Sequence, residues 1–322
     1  MKPTIRVARA PEARELNVSN HLLGDRAALD AAWERDGYWF FRGVLDRDAV
    51  ARLRGVYMEL LARHGVADRD DPAALYNGAS LEGFPLRMDP LSASKAWRPF
   101  VEDAPVHAFF QRLLGDDPFW IPTVEYRATP PIADRARPRL DYVHQDGFYN
   151  KGIPFRICWI PLADIDSEVG GLMLGEGLHR GPILHDSGTP PLFPIPDNAI
   201  AEDRWRRADY RPGDLLMMDL NTPHSGIANH SDRFRLSMDI RVMGASENPP
   251  IVGRVAGVEP GAIRVEGDDG RGGRFRLDAQ SYVRGLDGRQ VPLADIPARF
   301  KVGDEVILAA SNDHATILRP TH

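Results

Sequence analysis

The stretch YVHQDGFYNKGIPFRICWIPL, residues 142–162, places a histidine and an aspartate two positions apart, ahead of a long apolar run. Side chains at positions i and i+2 of a β-strand leave the same face, so His144 and Asp146 are predicted to point in the same direction. An imidazole beside a carboxylate can bind a metal ion or form an ion pair. The stretch by itself leaves both interpretations open.

A third candidate ligand comes from PGDLLMMDLNTPHSGIANHSDRFRLSMDIR, residues 212–241, where His224 follows an apolar strand and a turn. Two imidazoles and one carboxylate on neighbouring strands can occupy one face of an octahedron and leave three positions open, which suits non-haem Fe(II) and O2 chemistry. A structural zinc site is closed by four ligands, usually with thiolates, and the single cysteine, Cys158, argues against it. The second His-x-Asp pair, His230 and Asp232, lies among turn-forming residues and is predicted to be a surface turn.

The strand after His224 carries an arginine that can face the same interior. Alternation in RFRLSMDIRVM, residues 233–243, places Arg235, Asp239 and Arg241 on one face, and the other face is apolar. Because the apolar face would pack on helices, the polar face is predicted to look into a barrel, where a guanidinium suits a bidentate grip on a ligand carboxylate. The alternative is an ion pair within the strand, for example between Arg241 and Asp239.

The order of elements predicts a mainly β fold with flanking helices. Residues 1–118 show helical apolar spacing, and residues 119–245 are short strands separated by turn formers, so the helices are predicted to pack on one sheet of a jelly-roll. Pro249 and Pro250 end this part, and residues 249–322 alternate again as in a small β-barrel of the OB or SH3-like type. The predicted domains are therefore 1–248 and 249–322.

The composition excludes several classes of function. The chain has 322 residues, of which 43% are hydrophobic, and a net charge of −6. The negative net charge predicts no electrostatic binding to nucleic acid or to an anionic membrane. The lone cysteine fits a reducing compartment, and no leader or membrane-spanning segment is recognisable. We therefore expect a cytoplasmic protein. The sequence leaves open whether it forms a homo-oligomer.

Three segments together resemble the phytanoyl-CoA dioxygenase family, which are Fe(II)- and 2-oxoglutarate-dependent oxygenases on a double-stranded β-helix, a cupin-like jelly-roll. The segments are ERDGYWFFRGVL (residues 34–45), HQDGFYNKGIPFRICWIPLADIDSEVGGLMLGEGLHRG (residues 144–181) and YRPGDLLMMDLNTPHSGIANHSDRFRLSMDIR (residues 210–241). The resemblance extends over residues 28–242 and does not include the C-terminal barrel.

The resemblance implies roles for individual residues. It implies that His144, Asp146 and His224 hold the iron, that Arg235 binds the distal carboxylate of 2-oxoglutarate, and that Trp159 and Ser225 lie near the cosubstrate pocket. The chain departs from the family at GEGLHRG, where relatives more often have a Pro-Gly-Ser-His turn, so no role is transferred to His179.

The implied activity is hydroxylation of a small molecule, with O2 consumed and 2-oxoglutarate converted to succinate and CO2. Relatives that halogenate have a small residue in place of Asp146, so hydroxylation is favoured here. Desaturation, epimerisation and cyclisation by the same chemistry stay open. A non-catalytic, metal-binding cupin-like protein is the second class of function, and Arg235 argues against it because such a binder needs no inward arginine.

The substrate is predicted less specifically. The candidate residues are Phe148, Tyr149, Lys151, Arg156 and Arg241, which together would suit an anionic or partly aromatic small molecule. The alternative for Lys151 and Arg156 is that both are solvated surface charges. Tyr126 and Arg127 either line the cavity or form a strand edge. The C-terminal barrel has no clear aromatic platform for nucleic acid, so a structural or oligomerisation role is favoured.

Overall fold

The computed structural model of the chain shows helices first and strands afterwards, as the sequence predicts. It describes residues 13–85, 88–132, 142–150, 152–186, 188, 193–196, 198–286 and 289–321. Lys151 lies outside the described residues. Within these ranges, no helix has the length and the apolar character needed to cross a membrane.

Aspartates cap the N-termini of the first two helices. The helices are α1 (Arg26–Asp36), α2 (Arg47–Arg63), α3 (Asp89–Ala93), α4 (Arg98–Val101), α5 (Ala104–Leu114), α6 (Asp146–Tyr149) and α7 (Ile296–Arg299). Asp25 caps α1 by accepting a hydrogen bond from the amide of Ala28, and Asp46 caps α2 by accepting one from the amide of Ala49. Gly37 ends α1 in the left-handed conformation, with φ of 78°, which glycine adopts without strain.

The strands before residue 245 form two sheets. They are β1 (Arg14–Glu15), β2 (Tyr38–Phe41), β3 (Pro118–Thr129), β4 (Arg156–Pro161), β5 (Gly171–Gly175), β6 (Trp205–Arg207), β7 (Leu215–Asp219), β8 (His224–Ile227) and β9 (Arg235–Gly244). One sheet has the order β2-β7-β4-β9-β3 and the other has the order β1-β6-β5-β8. Neighbouring strands are distant in sequence, as in a double-stranded β-helix, and the predicted jelly-roll is confirmed.

Helices cover one face of the five-stranded sheet. Trp39 of β2 donates its indole N–H to the carbonyl of Leu29 in α1 at 2.8 Å. Tyr57 of α2 donates its hydroxyl to the carbonyl of Ser237 in β9 at 2.9 Å. Both aromatic side chains are buried, and each polar atom has a partner, so their burial leaves no unmet donor. The other face of the sheet is thereby left for the interior of the jelly-roll.

An aromatic layer joins the two sheets on the interior side. Trp159 of β4 packs against Tyr210 with ring centroids 4.6 Å apart, and Phe40 of β2 meets the same Tyr210 edge-on at 5.6 Å. The hydroxyl of Tyr210 donates to the carbonyl of Leu172 in β5 at 2.8 Å. Because these rings are almost fully buried, this part of the interior is dry.

The described residues divide into two compact units. The first takes its residues from Met1–Leu113, Glu125–Phe148 and Arg156–Asp239, and the second from Leu114–Val124, Tyr149–Phe155 and Ile240–His322. The second unit thus includes two short segments from well before the domain boundary that the sequence predicts after residue 248. That boundary stays a prediction.

The C-terminal strands of the second unit form a closed barrel. They are β10 (Ile251–Glu259), β11 (Ala262–Gly267), β12 (Gly272–Arg276), β13 (Tyr282–Val283), β14 (Glu305–Ser311) and β15 (His314–Pro320). The order β12-β11-β10-β14-β15 is closed into a ring by pairing of β12 with β15, and β13 adds to β15. Val255, Ile263, Phe275 and Leu308 belong to its apolar core. The predicted small β-barrel is confirmed.

The second unit also holds the segment that follows the His-x-Asp motif. Arg319 of β15 forms a hydrogen bond with the side chain of Asn150, which is buried. Arg284, directly after β13, donates to the carbonyl of Tyr149 at 3.4 Å. Tyr149 and Asn150 therefore have hydrogen-bond partners within their own unit.

Candidate metal centre

Three side chains that the sequence singled out converge in the structure. One ligand atom from each of His144, Asp146 and His224 lies within 4.8 Å of the other two. Nε2 of His144 is 3.6 Å from Oδ1 of Asp146, and the two imidazole centroids are 4.3 Å apart. His224 and Asp146 are buried.

The backbone sets these positions in two different ways. His144 and His224 form an isolated antiparallel bridge, in which the N–H of each residue donates to the carbonyl of the other. Asp146 is the first residue of α6, and the amide of Gly147 donates to the carbonyl of Leu220 at 2.7 Å. The two side chains converge as expected, but the expectation that they leave one face of a continuous strand was wrong. A helical turn replaces the strand at Asp146.

Backbone carbonyls fix the tautomer of both histidine rings in their neutral form. Nδ1 of His144 lies 3.1 Å from the carbonyl of Tyr142, and Nδ1 of His224 lies 3.0 Å from the carbonyl of Thr222. A carbonyl oxygen only accepts hydrogen bonds, so each Nδ1 must carry the proton. Nε2 of each ring then presents its lone pair, which is the form that binds a metal ion.

The donor set fits a divalent iron ion. Two neutral imidazole nitrogens and one carboxylate oxygen are the facial ligand set of non-haem Fe(II) enzymes, and they leave positions for other ligands. In the part of the chain that the structure describes, no fourth His, Cys, Asp or Glu joins the group. A structural zinc site, which is closed by four ligands, is a poorer match.

Arg235 lies at the start of β9 and is 2% exposed. Its Nη1 donates to the carbonyls of Gly171 and Ile227, each at 2.9 Å. Ile227 ends β8, the strand that His224 begins, so Arg235 is bound to the far end of the strand that carries the second histidine.

The two residues expected near the cosubstrate pocket differ in position. Trp159 belongs to the interior aromatic layer and is 2% exposed. Ser225 stands opposite Met173 in the sheet register, and Met173 belongs to an apolar cluster with Trp205. Alternation along β8 directs Ser225 to the face opposite His224. This placement does not support contact between Ser225 and a ligand on the metal.

The candidate substrate residues are spread more widely. Phe148 of α6 stacks on His185, with centroids 4.2 Å apart and ring planes at 6°. The guanidinium of Arg156 lies over the ring of Trp33 in α1 at 5.9 Å, on the helix-covered side of the sheet. Arg241 is 6% exposed, and its Nη1 donates to the carbonyl of Thr123 at 2.9 Å.

Two further residues support the metal motif and were missed by the sequence reasoning. Gln145, between the first two ligands, is fully buried, and its amide N–H donates to Nε2 of His185 at 2.8 Å. Nδ1 of His185 donates in turn to the carbonyl of Phe193 at 2.6 Å. Burial lowers the pKa of His185, which favours this neutral form. A polar residue between two ligands was the one signal available for Gln145, and His185 lies in no recognised motif.

One charge on the inward face of β9 has a partner on the neighbouring strand. Asp239 accepts a hydrogen bond from Nε of Arg127 in β3 at 3.4 Å. Tyr126, the neighbour of Arg127, turns the other way, and its hydroxyl accepts from the amide of Trp97 at 3.0 Å. Arg127 therefore faces the interior and Tyr126 faces the helices.

His179 lies beside the loop that leads to His224. It is 7% exposed, and a Cβ added to Gly37 would lie 2.8 Å from its Cγ. Burial lowers the pKa of His179 and raises the pKa of nearby Asp219. Gly37 also accepts the hydroxyl hydrogen bond of Thr222 at 2.9 Å, so the end of α1 supports the loop before the second histidine ligand.

Comparisons with known proteins agree with this site. Residues 33–237 match the family described as Phytanoyl-CoA dioxygenase (PhyH). A 1-deoxypentalenic acid 11-beta-hydroxylase of Streptomyces exfoliatus is 30% identical over 256 residues, which cover 70% of this chain and 84% of the relative. The enzyme of the same name from Streptomyces arenae is 28% identical over 261 residues, with the same coverage.

Among solved structures, the epimerase SnoN in complex with Fe3+, alpha ketoglutarate and nogalamycin RO is similar, with a TM-score of 0.49 and 24% identity. The similarity covers 69% of this chain and 85% of SnoN. The family match spans more than half of this chain, and the Streptomyces exfoliatus relative is a hydroxylase. The chain belongs to the phytanoyl-CoA dioxygenase family and is an iron- and 2-oxoglutarate-dependent dioxygenase.

Proposed function

We propose that this dioxygenase hydroxylates a small organic molecule, with His144, Asp146 and His224 holding Fe(II) and Arg235 binding the distal carboxylate of 2-oxoglutarate. The observation that carries the proposal is the convergence of the three ligand atoms within 4.8 Å. The resemblance noted in the sequence assigns the same residues to these roles.

Each of these side chains has a task that follows from its contacts. Bound Fe(II), 2-oxoglutarate and O2 supply the oxidising power, and succinate and CO2 are released. The Nδ1–H bonds of His144 and His224 fix the orientation of the two rings and leave Nε2 of each neutral ring as the nitrogen that would bind the ion. The carbonyls that bind Arg235 hold its guanidinium in place, so a carboxylate meets an ordered partner. Trp159 helps to exclude water from this interior.

The substrate is proposed to contact Phe148 and Tyr149, which directly follow Asp146. Arg241 is kept as a candidate partner for an anionic group, whereas Arg156 is not, because it lies over Trp33. The two hydroxylase relatives are named for 1-deoxypentalenic acid, so this acid is the first compound to assay.

Asp146 at the third protein position favours hydroxylation over halogenation, and the two relatives that are named as hydroxylases favour it over the other outcomes of the same chemistry. Desaturation, epimerisation and cyclisation are the alternatives, and the mass and stereochemistry of the product distinguish them. A hydroxylated product is about 16 mass units heavier than its substrate, a desaturated or cyclised product is about 2 lighter, and an epimer has the same mass. The double bond of the desaturated product distinguishes it from the ring of the cyclised one by NMR. A non-catalytic metal-binding protein would form no succinate.

An anaerobic absorption titration tests the proposed site. The metal-free chain receives Fe(II) and then 2-oxoglutarate, and a visible charge-transfer band that requires both additions is expected. His144→Ala is expected to abolish the band. The matched control is His230→Ala, which removes the histidine of the other His-x-Asp pair and is expected to leave the band intact. A folded wild-type chain without a band would contradict the proposal.

Cellular location and assembly follow as further proposals. The single cysteine, Cys158, is buried in β4, which suits a reducing compartment, and we place the protein in the cytoplasm. Residues 1–248 are proposed to be the dioxygenase domain and residues 249–322 an accessory domain that serves as a structural or oligomerisation element. Light scattering of the full chain would show directly whether it forms a homo-oligomer.

A further inference from the structure

The residue between the first two candidate ligands makes three hydrogen bonds to two separate segments of the first unit. The side-chain amide of Gln145 donates to the carbonyl of Asn221 at 2.8 Å, and its side-chain oxygen accepts from the amide of Leu184 at 2.7 Å. Its backbone N–H donates to Nε2 of His185 at 2.8 Å. Asn221 lies three residues before His224, so Gln145 links the loop of one histidine ligand to the motif of the other.

His185 contacts the residues on both sides of Asp146. Its Nδ1 donates to the carbonyl of Phe193, which leaves Nε2 as the acceptor for Gln145. The flat face of its ring stacks on Phe148, two residues after Asp146. His185 therefore contacts the motif through a hydrogen bond before Asp146 and through an aromatic stack after it.

These contacts add support to two candidate ligands that lie on very short elements of secondary structure. His144 is attached by an isolated bridge rather than by a long strand, and Asp146 begins a helix of one turn. A single helical turn has little stability by itself. Metal affinity depends on holding the donor atoms close to their bound positions, and outer contacts of ligating residues commonly affect it by about tenfold or more.

We propose that Gln145 and His185 are positioning residues that hold the ligand-bearing segments in place for the metal. Gln145 acts on the loop before His224, and His185 acts on the backbone between His144 and Asp146. The inference rests on the proposed metal site. It gives a positioning role to two residues that bind neither the metal nor 2-oxoglutarate.

Titration of the metal-free full chain with Co(II) tests this inference without requiring turnover or a known substrate. Co(II) binds the same nitrogen and oxygen donors and has a visible spectrum that reports its coordination. Gln145→Met keeps the side-chain length but loses both side-chain hydrogen bonds, and its Co(II) midpoint is expected to rise about tenfold. The matched control is Gln111→Met on the exposed side of α5, for which an unchanged midpoint is expected.

Two substitutions of His185 separate positioning from simple packing. His185→Gln retains an acceptor for the N–H of Gln145 but loses the aromatic stack, whereas His185→Phe retains the stack and loses both hydrogen bonds. Positioning through the hydrogen bond predicts that His185→Gln binds Co(II) close to wild type and that His185→Phe binds it about tenfold more weakly. A packing role alone predicts the reverse order.

The outcomes are distinguishable. A wild-type chain that gives no Co(II) spectrum would contradict the proposed metal site. Wild-type binding together with unchanged midpoints in Gln145→Met and His185→Phe would overturn the positioning roles alone. Thermal unfolding of each metal-free variant identifies any variant that is unfolded. Gln145→Glu then provides a second test, because it keeps the acceptor for Leu184 but loses the donor for Asn221. An intermediate Co(II) midpoint is expected for it, and a wild-type midpoint would count against the inference.

Discussion

His144 and His224 face each other across a two-residue ladder, in which the amide of His144 donates to the carbonyl of His224 at 3.0 Å and the reverse bond is 2.9 Å. In such a hydrogen-bonded antiparallel pair the two Cα atoms are about 5.5 Å apart, and the side chains leave the same face. The backbone thus sets the distance between the two imidazoles before any ion binds. Only the carboxylate has to come from another element.

Replacing Asp146 by glycine removes the single negative charge of the ligand set. Asp146→Gly is expected to lose hydroxylation and to weaken Fe(II) binding, because two neutral imidazoles alone do not offset the charge of the ion. Product formation by mass spectrometry and the Fe(II) titration check this expectation. Asp232→Gly, in the turn with His230, is the matched control. Normal hydroxylated product from Asp146→Gly would refute the ligand assignment.

Removing the guanidinium of Arg235 is expected to raise the 2-oxoglutarate requirement by about two orders of magnitude, because a charge-assisted pair contributes roughly 2–3 kcal/mol. The measurement is succinate formation at increasing 2-oxoglutarate for Arg235→Ala. Arg63→Ala, at an exposed ion pair of α2, serves as the control. An unchanged requirement in Arg235→Ala would move the carboxylate anchor to another residue.

Two glycine substitutions are expected to change stability in opposite directions. Gly37→Ala places a side chain at a φ of 78° and brings its Cβ to 2.8 Å from Cγ of His179, so the free energy of unfolding should fall by about 2–3 kcal/mol. Gly55→Ala lies inside α2 with no atom within 4 Å of the new Cβ, and a gain of about 0.5–1 kcal/mol is expected. Urea unfolding measures both, and equal effects would contradict the proposed crowding at Gly37.

Stability should fall as the pH drops below about 6.5, the ordinary pKa of histidine. Burial lowers the pKa of His179 and of His185, so below that pH the unfolded chain binds more protons than the folded chain. The carboxylates of Asp36 and Asp219 act in the opposite sense on His179, and burial is the larger effect.

The measurement is the free energy of unfolding of the metal-free chain between about pH 8 and pH 5.5. His179→Gln should make the decline shallower, with the remainder due to His185. Gln111→Met, which removes no titratable group, is the control, and its decline should equal that of wild type. A decline that is equally steep in His179→Gln would show that His179 is not held neutral by the fold.

Much of the candidate site was predictable from the sequence because its signals are local. His144 and Asp146 are two residues apart, and alternation in β9 identified Arg235 as inward-facing. The partner of Asp239 was not predictable in this way. It pairs with Arg127, more than one hundred residues earlier in the chain, because β3 and β9 are neighbours in the sheet.

The sequence by itself determined that a jelly-roll precedes a small barrel, and it predicted which residues hold the iron and 2-oxoglutarate. These properties depend on spacing, capping residues and alternation within short segments. Only the tertiary structure decided that Gln145 and His185 bond to each other and that Gln145 bonds to the loop before His224, and that Arg156 lies over Trp33 of α1. Such contacts join residues that are distant in the chain or depend on which face of a strand is covered, and local sequence patterns do not specify them.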